Sequence, residues 1–100
     1  HRSAGALVWE EGDASPRRLE VRGELTRIGR EPDNDIVLDD RTVHRYHAAI
    51  HRPDSTHTVV TDLSGAEGNG VVVNGQRVRS QRLKPGDVIE LGARRLTFTD

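Results

Sequence analysis

The sequence predicts an all-β fold: a β-sandwich of about 11 short, mostly antiparallel strands in two sheets. Three observations carry this expectation. Most apolar stretches are three to six residues long and rich in Val. Several alternate with period two, as in Leu19/Val21, Ala48/Ile50, Ile89/Leu91 and Leu96/Phe98, which puts every second side chain on one face of a strand. Finally, no window of a dozen residues repeats apolar positions at helical spacing without meeting a glycine, a proline or a charged break, so long helices are not expected.

In chain order, Leu7-Val8-Trp9 opens the first strand, and residues 18–22 and 25–28 give the next two. Residues 36–38 and 47–50 follow. Pro53-Asp54-Ser55 reads as the turn into 58–63. Asn74-Gly75 divides Val71–Val73 from Val78 as a type I′ hairpin, because both turn residues tolerate φ > 0. Lys84-Pro85-Gly86-Asp87 fits a type II turn, with proline presetting φ and glycine taking the left-handed position. Residues 88–91 and 96–99 end the series. Residues 1–4 are expected to fray, leaving a single domain over 5–100. With no methionine even at position 1, the chain reads as cut from a longer protein.

Composition narrows the function. The 15 basic and 16 acidic side chains nearly cancel, and they divide at residue 50 as 8 and 10 against 7 and 6. Neither half is a basic arm, which argues against nucleic acid as a partner. No apolar run approaches the ~20 residues of a membrane span, so no membrane partner is expected. The absence of cysteine excludes disulfides and thiolate chemistry and is compatible with a cytoplasmic protein. All basic residues except Lys84 are Arg, the codon usage of a GC-rich, bacterial genome.

Enzyme chemistry finds little support. None of the serines lies in a nucleophile elbow, and Gly65, Gly68 and Gly70 form neither a dinucleotide fingerprint nor a phosphate-binding loop before a helix. No cofactor is expected. His44, His47 and His51 are close enough in sequence to suggest a metal or a pH-sensing set, but no HExxH motif or cysteine supports a metal, and none is expected.

Polar groups confined to loops stand out instead. Gly29-Arg30 ends one strand, residues 43–48 enter another, and Gly68-Asn69-Gly70 precedes the Asn74-Gly75 hairpin. Two arginines and an asparagine suit an anion flanked by extended peptide: guanidinium forks onto phosphate oxygens, and an amide pairs with main chain. Equally, Arg30 and Arg45 could simply pair with Asp33, Asp35, Asp39 or Asp40 on the surface.

These residues resemble the forkhead-associated (FHA) domain family. The matching blocks, in the family's order, are Ile28-Gly29-Arg30, residues 34–38, residues 43–50, Asp62-Leu63-Ser64, Asn69-Gly70 with Val73-Asn74-Gly75, and Leu83 with residues 85–92. The resemblance covers roughly residues 7–99. It implies an 11-stranded sandwich that binds phosphothreonine in a protein or peptide, a Ser/Thr kinase substrate, through loops at one end. It assigns phosphate binding to Arg30, His44 and Arg45, and peptide-backbone binding to Asn69 with Gly68. Gly29, His47, Asn74 and Gly75 would support the binding loops.

The chain departs from the family pattern at two ligand positions. His44 stands where a phosphate-binding serine is usual, and Gly68 where a threonine is common. The segment from Asp62 to Asn69 is also about two residues longer than the common form, adding freedom to a loop that must be pre-organised. The alternative function is an FHA-like interaction or assembly module that binds its partner independently of phosphate.

Overall fold

The computed structural model of the chain describes residues 5–10, 15–21, 25–54, 57–65 and 69–99. The short alternating segments form eleven strands: β1 (Ala6–Trp9), β2 (Arg17–Glu20), β3 (Leu25–Gly29), β4 (Ile36–Val37), β5 (Ala48–Asp54), β6 (His57–Asp62), β7 (Val71–Val73), β8 (Gln76–Val78), β9 (Ser80–Arg82), β10 (Val88–Leu91) and β11 (Arg94–Thr99). A six-stranded sheet has the order β2-β1-β11-β10-β7-β8, and a five-stranded sheet the order β4-β3-β5-β6-β9. All pairings are antiparallel except β3 with β4. The all-β sandwich expected from the sequence is the fold observed.

Alternation decides which face each strand buries. Leu7 and Trp9, Ile89 and Leu91, and Leu96 and Phe98 point inward from one sheet, opposite Ile28, Ala48, Ile50 and Val60 from the other. Apart from Trp9, Ala48 and Phe98, the buried apolar cluster consists of Val, Leu and Ile. Fully burying one such side chain contributes roughly 1.5–3 kcal/mol. A core short of aromatics therefore depends on many well-packed aliphatic contacts. Among the described residues, no helix is long and apolar enough to cross a membrane.

The turns follow their residues. Asn74 (φ 52°) and Gly75 (φ 87°) form the two-residue link that pairs Val73 with Gln76, and Gly86 takes φ 96° while Asp87 N–H donates to the Lys84 carbonyl. Two expectations change. Pro53 and Asp54 belong to β5 rather than to a turn: the β5–β6 register shifts between His51 and Asp54, and such an irregularity accommodates a proline that cannot donate to a ladder. Ser55 and residues 1–4 lie outside the described residues. The second change is β9, which apolar patterning does not reveal. Ser80, Gln81 and Arg82 are all exposed, and the strand is held by main-chain pairing to β6 at the sheet edge.

Candidate functional site

The site begins where β3 ends. Gly29 is buried, and the loop following β3 crosses the loop entering β5 at van der Waals distance. A Cβ on Gly29 would lie 2.1 Å from the Arg45 carbonyl oxygen. Without that Cβ, two main-chain bonds form between the loops: Arg30 N–H donates to His44 O (3.0 Å) and Glu31 N–H to Arg45 O (3.2 Å). Arg30 therefore stands beside His44 and Arg45, although 14 residues separate it from His44 in sequence.

Asn34 tightens the same junction. Buried beneath it, its Nδ2 donates to both Glu31 O and Arg45 O at 2.9 Å. Two carbonyl partners fix which end of the amide points there, since only nitrogen can donate. The bracing role of Asn34 is not visible in its neighbours, because its partner Arg45 is remote in sequence.

His47 links this pair of loops to a third. The ring is fully buried. Its Nδ1 accepts from His44 N–H (3.1 Å), and its Nε2 donates to Gly70 O (2.7 Å). The His47 main chain also bridges the elements, donating to Ile28 O and accepting from Leu63 N–H. Only the neutral Nε2–H tautomer satisfies both ring contacts. Burial holds the His47 pKa below the usual histidine range, against the raising effect of its bond to Gly70.

This buried neutral histidine makes stability pH-dependent. A depressed pKa means that the folded protein takes up the proton less readily than the unfolded chain. The contribution is complete above the unfolded value of about 6.5 and is lost as pH falls through the folded value. We expect thermal stability to decline below pH ~6.5. His47→Ala should lower the melting temperature at pH 7.5 by several degrees, since ~1 kcal/mol shifts a domain of this size by about 4–8 °C. It should also flatten the acid-side decline. Melting curves of both proteins between pH 5 and 8 test this, and an unchanged slope in the variant counts against it.

Asn69 completes the cluster. It lies in the loop before β7, next to Gly70, and its Nδ2 donates to the Thr42 carbonyl at 2.6 Å. Arg30, His44, Arg45 and Asn69 thus sit on three loops fastened at one end of the sandwich. Gly68 lies outside the described residues. Asn74 and Gly75 form the β7–β8 turn. They lie at the far end of the three-residue β7, where Asn74 Nδ2 donates to Asp87 Oδ1 and Asn74 Oδ1 accepts from Val88 N–H. Their position follows from strand length, since three extended residues carry the chain about 10 Å away.

The surface aspartates have other partners. Asp33 accepts from the Tyr46 hydroxyl, raising the Tyr46 pKa; Asp35 accepts from Arg27 N–H; Asp40 accepts from Thr42. Among the described residues, no ion pair to these carboxylates or to Asp39 occupies the Arg30 or Arg45 guanidinium. Among the described residues, no three histidine or carboxylate side chains are grouped so as to hold a metal ion. The His44 and His47 rings meet edge to face at 5.5 Å, with both His47 nitrogens already engaged, and His51 Nε2 lies 3.3 Å from Thr61 Oγ1.

Comparison with known proteins places this geometry in a family. The family model described as "FHA domain" matches residues 26–92. The chain is 38% identical over 97 residues to an oxoglutarate dehydrogenase inhibitor of Corynebacterium diphtheriae, covering 97% of this chain and 66% of that protein. The fold is similar to the crystal structure of the FHA domain of the CT664 protein of Chlamydia trachomatis, with TM-score 0.86, 26% identity and 96% of each chain covered. It is also similar to Mycobacterium tuberculosis EmbR solved in complex with a low-affinity phosphopeptide, with TM-score 0.77 and 38% identity, covering 94% of this chain and 24% of that one. The chain belongs to the FHA domain family.

Proposed function

We propose that this domain is a binding module, not an enzyme, that recognises phosphothreonine in a protein partner phosphorylated by a Ser/Thr kinase. Arg30, His44 and Arg45 would bind the phosphate, and Asn69, with Gly68 beside it, the peptide main chain. One observation carries the reading: two guanidinium groups that no aspartate among the described residues occupies share a loop cluster with an imidazole and an amide. That donor set matches a phosphate dianion followed by extended peptide. The phosphopeptide complex of the related EmbR supports it. Cytoplasmic residence belongs to the same proposal.

The test is a calorimetric titration with paired phosphorylated and unphosphorylated peptides, chosen from a library with fixed central phosphothreonine. Binding of the phosphorylated member alone is expected. Equal affinity for both members would replace this reading with a phosphate-independent interaction module.

His44 distinguishes this site from one built on a serine, because its imidazole is bulkier than a hydroxyl and donates from a ring nitrogen. His44→Ser should keep phosphopeptide affinity within about tenfold of wild type in the same titration, since one donor replaces another. If the serine variant binds far more tightly than wild type, His44 obstructs the phosphate instead.

A further inference from the structure

Thr42 is exposed, yet its polar groups are all engaged. Its N–H (2.8 Å) and its hydroxyl (2.5 Å) both donate to Asp40 Oδ1, and the hydroxyl oxygen accepts from Ala93 N–H (2.7 Å). The bonds from Thr42, the hydroxyl's first, hold the Asp40 carboxyl below its ordinary pKa, as expected for a carboxylate acting purely as acceptor. Gly92 permits the approach of the β10–β11 turn: at φ +63°, a Cβ there would lie 2.3 Å from Thr42 O and 2.4 Å from its Oγ1. The hydroxyl thus pins residue 42 to its own loop and to that turn. The carbonyl of the pinned residue is the one that receives Asn69 Nδ2.

Asn69 is itself exposed, and an exposed amide must lose rotamer freedom before it can hold a peptide. With one Nδ2 hydrogen committed to Thr42 O, its Oδ1 and second Nδ2 hydrogen remain for a ligand. Both residues line an open groove of about 430 Å³ with Val72, Glu90, Gly92 and Ala93, so a peptide has room to reach them. We propose that Thr42 is the positioning residue for Asn69: its hydroxyl fixes the carbonyl that pre-orders the peptide-binding amide. The effect on affinity rests on the phosphopeptide reading of the site, whereas the ordering of Asn69 does not.

The test uses Thr42→Val, which keeps the shape and removes the hydroxyl, with Thr42→Ser as the rescue. In ligand-free protein, the Asn69 side-chain amide resonances should move in the valine variant and stay near wild type in the serine variant. Affinity for a phosphothreonine peptide selected from the library should fall about two- to tenfold with valine and recover with serine. In an Asn69→Ala background, Thr42→Val should cost nothing further, because the amide through which it acts is gone. An unmoved Asn69 resonance in Thr42→Val overturns the proposal, as does an equal loss in both backgrounds. A wild-type domain that binds no phosphothreonine peptide defeats the phosphopeptide reading alone. The resonance comparison then decides the positioning by itself.

Discussion

Arg30→Ala should remove nearly all phosphopeptide affinity, about 100-fold or more, and should leave the melting temperature close to wild type. The size follows from charge-assisted hydrogen bonds to phosphate, each contributing roughly 1.5–3 kcal/mol, and from the two-pronged geometry a guanidinium offers. Stability should hold because what fastens this part of the loop is main chain: Arg30 N–H to His44 O and Glu31 N–H to Arg45 O survive truncation of the side chain. Arg30 is only half-buried, and among the described residues its guanidinium has no acidic partner to strand. Arg30→Lys should rescue partly, since an ammonium is a point charge without the fork. The Arg30 contribution should also shrink in high salt, as a partly exposed charge is screened. Calorimetry at two salt concentrations reads both effects. Unchanged affinity in the alanine variant removes Arg30 from the phosphate, and a matched loss of melting temperature makes it a structural residue.

Much of the sandwich was legible because its determinants are local. Asn74-Gly75 and Pro85-Gly86 impose their turns by backbone preference, and the alternation in β10 and β11 fixes their buried faces. Ser80–Arg82 was not legible, because an exposed edge strand pairs through backbone and needs no apolar pattern. Pro53 misled for a related reason: its local preference for a turn yields to an irregularity in the β5–β6 pairing. The site divides in the same way. The loop arginines and Asn69 suggested anion and peptide binding from their chemistry, and the family resemblance singled out Gly29 and His47. The braces Asn34 and Thr42 also act through contacts to Arg45 and Ala93, 11 and 51 residues away in sequence, and those long-range contacts leave no local signature. Asn74 and Gly75 follow Asn69 closely in sequence, yet β7 separates their turn from it in space.

Gly29→Ala should be the most destabilising single change in the cluster. The residue is not in a left-handed conformation, so the penalty comes from space alone. A methyl at this position meets the Arg45 carbonyl oxygen at 2.1 Å, the Arg45 carbonyl carbon at 2.8 Å and Asn34 Nδ2 at 2.8 Å. Two of these contacts are backbone, so rotamer changes cannot relieve them and the crossing loops must separate. Separation strains the bonds that converge on Arg45 O, from Glu31 N–H and Asn34 Nδ2, and the adjacent one from Arg30 N–H to His44 O. Overpacking of this kind costs typically 1–3 kcal/mol, and the shared carbonyl puts this site near the upper end. A loss of about 3 kcal/mol lowers the melting temperature of a domain this size by on the order of 12–24 °C. A domain with ordinary stability of about 5–15 kcal/mol remains folded at 25 °C, so binding can still be measured. Phosphopeptide affinity should fall there too, because the methyl pushes the loop bearing Arg30 away from the one bearing His44 and Arg45. Calorimetric melting and a 25 °C titration check the two effects together. A melting temperature within a few degrees of wild type would mean that the two loops do not cross at this distance. Lost stability with unaltered affinity would mean that the phosphate contacts do not depend on their closeness.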